Sequence, residues 1–278
     1  MKLKIRKFDM KTMPPDAVVL LVGKRGTGKS TLLKDIMYHM REHLHCGVAM
    51  CPTLDGVSVE GDGLGSYVPG PLIHDCYKPQ VIDKMLNYQK KSVKKVGKEN
   101  TKRQFVILDD VGFDRKAVKG TEMRFLVLNG RHRRIFFINA IQYLCDLPPD
   151  LRANVDVVFC LRDAIMTNKE RLWKNFFGCF SDFPTFSQTM DALTSDYSAM
   201  VLNNRTQSTK LEDMVFHYKA NHKMPPFQLC HPAFWKLSTV CAVEEKESDE
   251  ESDDSQSGAG KSRKVFIKKL QSLRDDEE

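Results

Sequence analysis

Apolar residues along this chain follow two alternating rhythms. Near-continuous apolar runs occupy 18–22 (Val-Val-Leu-Leu-Val), 47–51 (Gly-Val-Ala-Met-Cys), 105–108 (Phe-Val-Ile-Leu), 135–139 (ending in Asn139) and 155–161 (interrupted by Asp156). Runs of this length mark parallel strands covered on both faces. Between them, apolar positions recur at three- and four-residue spacing. Leu32, Leu33, Ile36, Met37 and Met40 predict a helix over about 30–45; Val81, Met85, Leu86 and Tyr88 predict one over 79–103. Met123, Phe125, Leu126 and Leu128 predict a third over 121–131. Strands alternating with helices predict an α/β fold, a mostly parallel central sheet flanked by helices. Residues 1–10, 197–202 and 214–218 read as further strands. The Gly-rich stretch 55–71 reads as a mobile loop lining a pore or a substrate opening. The aromatic-dense segment 176–186 reads as core or subunit contact rather than a base-stacking surface.

The junction between the first buried strand and the first helix carries chemistry. Gly23-Lys-Arg-Gly-Thr-Gly-Lys-Ser-Thr31 fits G-x-x-x-x-G-K-[ST] through Gly23, Gly28, Lys29 and Ser30. Lys24, Arg25, Gly26 and Thr27 fill the loop, and Thr31 follows it. Glycines at these positions let backbone N–H groups curl into an anion nest, and the helix that follows points its positive end at the same spot. Lys29 reaches the outer phosphates of a nucleotide, and the Ser30 hydroxyl holds Mg²⁺. A second signal lies 80 residues beyond Lys29, where the strand Phe105–Leu108 ends in Asp109-Asp110. An apolar strand ending in acid places Asp109 to hold Mg²⁺ and Asp110 to deprotonate the attacking water. Gln142 follows the next strand at its C-terminal end, where ligands bind in open parallel sheets, and reads as a γ-phosphate sensor. The order of strands predicts a P-loop NTPase of the additional-strand (ASCE, RecA-like) type, which argues against a small-molecule kinase.

Charge divides the chain. Residues 244–278 hold twelve acidic and seven basic groups, so residues 1–243 carry a net +12 within the overall +7. The body is the expected ATPase domain. The tail is too polar and too charged to form a core and reads as disordered, with a short basic segment at 261–273. A body this basic suits a polyanion, and Lys90, Lys91, Lys94, Lys95, Lys98, Lys102 and Arg103 crowd one stretch suited to a DNA backbone. No apolar run approaches the roughly 20 residues of a membrane span, and the N-terminus has no apolar signal-like stretch. Eight scattered cysteines without C-x-x-C pairs read as free thiols.

Taken in order, GKRGTGKSTLLKDIMYH, FVILDD, NGRH and IQYLCDLPPDLRANVDVVFCLR resemble one family, the DNA-packaging ATPases of nucleocytoplasmic large DNA viruses, within the FtsK–HerA superfamily. The resemblance spans about Val18 to Asn203. It implies an ATP- and Mg²⁺-dependent translocase of double-stranded DNA, self-associated into a ring and docked on capsid or portal-region proteins. It implies an intracellular site of action, in the host cytoplasm or where virions assemble, and association with the virion. It also implies an arginine acting in trans: Arg131, in Asn-Gly-Arg-His, with Arg152 as the second candidate. Where the family shows a Thr-x-Gln sensor, this chain has Asn139-Ala-Ile-Gln142. A helicase-like nucleic-acid motor and a nucleotide-switched assembly factor remain the alternative functions.

Overall fold

A computed structural model of the chain describes residues 4–53, 57–111, 120–142 and 148–238. Residues 1–236 form one compact unit. The acidic tail at 244–278 and its basic segment lie outside the described residues.

Nine strands form one sheet: β1 (Arg6–Lys7), β2 (Val18–Val22), β3 (Cys46–Met50), β4 (Ile73–His74), β5 (Gln104–Asp109), β6 (Ile135–Ile141), β7 (Val157–Cys160), β8 (Ser198–Asn203) and β9 (Val215–Lys219). Their spatial order is β1-β9-β8-β7-β2-β6-β5-β3-β4, and among the described strands only β8 runs against the rest. The helices are α1 (Lys29–Met40), α2 (Pro79–Val96), α3 (Thr121–Asn129), α4 (Pro149–Arg152), α5 (Met166–Asn175), α6 (Phe183–Leu193) and α7 (Leu211–Met214). None of the described helices is long and apolar enough to cross a membrane.

The two faces of the sheet explain the near-continuous apolar runs. Val19 and Leu21 of β2 join Leu32, Leu33, Ile36 and Met37 of α1 in one core; Val18, Leu20 and Val22 face a second core with residues of α2, α3, α5 and α6. Each strand residue therefore meets a covering layer on its own side, and polar alternation has no place. The strand β6 lies between β2 and β5, with Asn139 in register with Leu20 on one side and Leu108 on the other. That intervening strand is the defining feature of the additional-strand class.

Several boundaries differ from expectation for local reasons. The first helix stops at Met40 because Arg41 turns back onto Tyr38, its guanidinium 3.9 Å from the ring centroid and Nη1 donating to the Tyr38 carbonyl at 2.6 Å. The helix α2 stops at Val96 because Gly97 takes φ +83°, a conformation open to glycine. Lys98, Lys102 and Arg103 therefore come after the helix rather than extend it. The third helix gives way to a 3₁₀ turn over Gly130–Arg133. Described residues of the 55–71 stretch are anchored: Leu64, Tyr67 and Val68 are buried, and Tyr67 stacks on Phe227 at 5.3 Å. In the 176–186 segment, Phe177, Phe180 and Phe186 are buried against one another, as a core cluster.

Candidate active site

The C-terminal ends of β2, β5 and β6 meet at one cavity of about 780 Å³, within the usual ~300–1,000 Å³ of ligand sites. The loop leaving β2 is tethered at its start, where the Gly23 amide donates to the Ile141 carbonyl at 3.0 Å. A Cβ on Gly23 would come within 2.8 Å of both Leu161 Cδ1 and Thr27 Oγ1, so close packing demands glycine there. Gly26 and Gly28 take φ +75° and +91°, which turn successive amides toward one side. Thr27 closes the turn by donating its hydroxyl to the Lys24 carbonyl at 2.7 Å. Gly28 then brings no side chain to cap α1, leaving its first N–H groups to an anion.

The remaining loop residues divide between the cavity and its walls. Arg25 and Ser30 line the cavity. Lys24 also lines it, and pairs with Asp163 at 2.9 Å. Burial alone raises Asp163, but the Ile165 amide, Lys24 and Asn168 outweigh it and hold the carboxyl below the ordinary range. Thr31 donates its hydroxyl to Asp62 at 2.5 Å, and Lys34 donates to the Gly61 carbonyl, so the loop after β3 is fastened to the start of α1.

Lys29 and Asp109 face each other across the cavity floor, Nζ 3.6 Å from Oδ1. Burial pushes the Asp109 carboxyl up, against the pull of Lys29. Oδ1 is buried without a hydrogen-bond partner among the described residues. Asp109 and Ser30 line the same cavity; an orphaned carboxylate oxygen and a serine hydroxyl make a hard-oxygen donor set, which fits Mg²⁺. Asp110 sits at the end of β5 with φ +57°, its amide donating to the Ala140 carbonyl at 2.9 Å. Its side chain accepts a hydrogen bond from Gln142 Nε2. Thus Gln142 and Asp110, apart in sequence, form one unit on the cavity wall.

The two arginines expected to act in trans lie elsewhere. Arg131 stands at the N-terminal ends of the strands, opposite the cavity, with Nη2 3.4 Å from Asp156 Oδ1. Arg152 bonds Asn175 Oδ1. The basic residues Lys90, Lys91, Lys94, Lys95 and Lys98 are exposed, and the segment feeds β5 at that same N-terminal edge. Sequence reasoning missed Thr53, Asp196, Tyr197, Lys219 and His222 on the cavity wall. They lie far from the glycine motif in the chain, and no spacing rule links them to it.

This geometry defines a P-loop ATPase of the additional-strand type. The chain belongs to the family of the poxvirus A32 protein, the DNA-packaging ATPases of large DNA viruses, whose model matches residues 6–176. It is 32% identical over 233 residues to the uncharacterized protein L437 of Acanthamoeba polyphaga mimivirus, covering 80% of this chain and 79% of that one. The uncharacterized protein 088R of Invertebrate iridescent virus 3 is 29% identical over 240 residues, covering 82% and 87%. Among solved structures, B204, the DNA-packaging ATPase from Sulfolobus turreted icosahedral virus, superposes with a TM-score of 0.53 at 17% identity, covering 76% of this chain and all of that one. The genome packaging NTPase B204 from Sulfolobus turreted icosahedral virus 2, in complex with sulfate, gives 0.52 at 16%, covering 75% and 98%.

Proposed function

We propose that this packaging ATPase hydrolyses Mg²⁺-ATP within a homo-oligomeric ring and uses the cycle to drive double-stranded DNA into a capsid. The observation that carries the reading is the meeting of Lys29, Asp109 and the Gln142–Asp110 pair around one cavity at the ends of β2, β5 and β6. Each residue then has a distinct task. Backbone amides of Gly23–Gly28 cradle the phosphates, and Lys29 neutralises charge on the outer ones. Ser30 and Asp109 hold Mg²⁺, which when bound neutralises charge on the phosphate oxygens. Asp110 accepts the proton of the attacking water. Gln142, bonded through its amide to Asp110, senses the γ-phosphate from the end of β6.

Duplex DNA is the partner that the basic body suits, and the exposed lysines between 90 and 98 supply its backbone contacts. The motor role is assigned to residues 1–243, and 244–278 are the acidic segment that follows it in the sequence. Capsid or portal-region proteins complete the assembly, at the site where virions form in the host cell. The mimivirus and iridescent virus relatives are viral proteins, and the packaging activity of the archaeal virus B204 proteins supports carrying the role over.

The test compares ATP turnover with and without duplex DNA in wild type and in Asp110→Asn. Duplex DNA should stimulate the wild type. Asp110→Asn should still bind ATP, while turnover falls by about 10²–10⁴-fold, the usual worth of a general base. Turnover indifferent to DNA would remove the motor reading, and wild-type turnover in Asp110→Asn would remove the base.

A further inference from the structure

The turn that carries Tyr197 into the cavity is built against the ordinary preferences of its residues. The Ser198 amide donates to the Ser195 carbonyl at 3.1 Å, closing a four-residue turn. Both central residues are left-handed, Asp196 at φ +55° and Tyr197 at +56°. Such a mirror-image turn ordinarily takes Asn or Asp followed by Gly. Aspartate tolerates the conformation, but a bulky aromatic there is an outlier and is held only by its surroundings. Here the holding parts are an ion pair from Lys219 Nζ to Asp196 and the antiparallel pairing of Ser198 with Lys219.

The product of this arrangement is an unengaged ring beside the phosphate cradle. Tyr197 is 68% exposed and makes no hydrogen bond, ring contact or cation contact among the described residues. Its Cδ1 lies 3.5 Å from where a Cβ on Gly28 would stand, so the ring flanks the last residue of the loop, at the start of α1. It lines the same cavity as Lys29, Asp109 and Gln142. A glycine at 197 would relieve the turn and lose nothing from the core, so the fold itself does not ask for tyrosine.

We propose that Tyr197 is the platform on which the nucleobase of the bound nucleoside triphosphate stacks. Phosphates seated on the Gly23–Ser30 amides leave the ribose and base to lie along the cavity wall beyond Gly28. Tyr197 offers a flat apolar face there, and His222 is the only other ring on the wall among the described residues. Every base has a π-face, so a stacking platform accepts purines and pyrimidines alike, and the site is expected to take several nucleoside triphosphates. The platform rests on the ATP-site reading of the same cavity and adds where the base goes.

The test uses the full chain, titrated in Mg²⁺ with a non-hydrolysable ATP analogue and, separately, with inorganic tripolyphosphate, which has no base. Tyr197→Asn keeps a residue that tolerates the turn, and Tyr197→Trp keeps a ring. Tyr197→Asn should weaken the analogue by about tenfold, within the range found for removing an aromatic under a base, and leave tripolyphosphate unchanged. Its melting temperature should not fall, and Tyr197→Trp should bind as wild type does. Unchanged analogue affinity in Tyr197→Asn, or equal losses for the analogue and tripolyphosphate, would overturn the platform while leaving the phosphate site standing. A wild-type chain that binds neither probe would overturn the ATP-site reading as well.

Discussion

The carboxylate of Asp35 is fully buried on the inner face of α1, six residues after Lys29, and it provides a measure of what holds the phosphate cradle in place. Tyr218 of β9 donates its hydroxyl to Asp35 Oδ2 at 2.6 Å, and the Asn221 amide donates to the same oxygen at 3.3 Å. His39 Nε2 stands 3.6 Å from Oδ1. Burial, followed by the bond to Asp35, pushes the Tyr218 hydroxyl well above its ordinary value, so it remains a donor at neutral pH. Tyr218→Phe removes one atom and keeps the ring against Phe159, whose centroid is 6.2 Å away. The loss is therefore that of a hydrogen bond to a buried charge, about 1.5–3 kcal/mol. For a unit of this size each kcal/mol shifts the melting temperature by about 2–4 °C, so the variant should melt roughly 3–12 °C below wild type. Scanning calorimetry at neutral pH measures it. Adding Asp35→Asn to Tyr218→Phe should cost less than the two single losses combined, because a neutral amide needs the hydroxyl less. A Tyr218→Phe protein melting within a degree of wild type would refute the claim that this bond secures α1 to β9.

Two further outcomes concern the opposite edge of the sheet. Replacing Lys90, Lys91, Lys94 and Lys95 by Ala should weaken duplex binding for all sequences and reduce the slope of log affinity against log salt by roughly 0.9 for each phosphate no longer neutralised; an unchanged slope would make this stretch an ordinary solvated face. Arg131→Ala should cost under about 1 kcal/mol of stability, as a partly exposed ion pair does, because Asp156 retains Arg205 at 3.9 Å and the Val18 amide at 2.8 Å. Yet mixing Arg131→Ala subunits with Lys29→Ala subunits should restore part of the turnover that neither has alone. No recovery, with co-assembly demonstrated, would exclude Arg131 as a residue acting in trans.

What could be read from the sequence was local or strongly periodic. Five consecutive apolar residues, two glycines at fixed spacing and a lysine suffice for β2, the cradle and α1, because each rests on chemistry within fifteen residues. The strand ending in Asp109-Asp110 was legible for the same reason. Gln142 was legible only as a polar residue at a strand end, and its bond to Asp110 needed the sheet order to appear. The burial of Leu64, Tyr67 and Val68 left no trace, since an irregular segment pinned by Phe227 and Asp62 has no period to detect. Tyr197 was hidden more deeply. Its signal is a positive φ in a non-glycine residue, 169 positions beyond Gly28, and neither the residue type nor its neighbours reveal that conformation.

The sheet's polarity bears on how subunits meet. The strands β2, β5 and β6 run the same way, so the cradle, Asp109, Asp110 and Gln142 gather at their C-terminal ends. Arg131 and the exposed lysines gather at the N-terminal ends, separated from the cavity by the length of β6. If Arg131 completes a neighbour's site, the N-terminal edge of one subunit must face the C-terminal edge of the next. Such an interface joins two different surfaces, head to tail, and a repeated head-to-tail contact closes into a ring when its rotation divides the circle. A two-fold dimer joined through the N-terminal edges alone would instead put Arg131 against Arg131 and leave both cavities without it. A complex found as a two-fold dimer under turnover conditions would count against the ring, while a cyclic assembly whose turnover is lost in Arg131→Ala would join the chemistry at one edge of the sheet to the charge at the other.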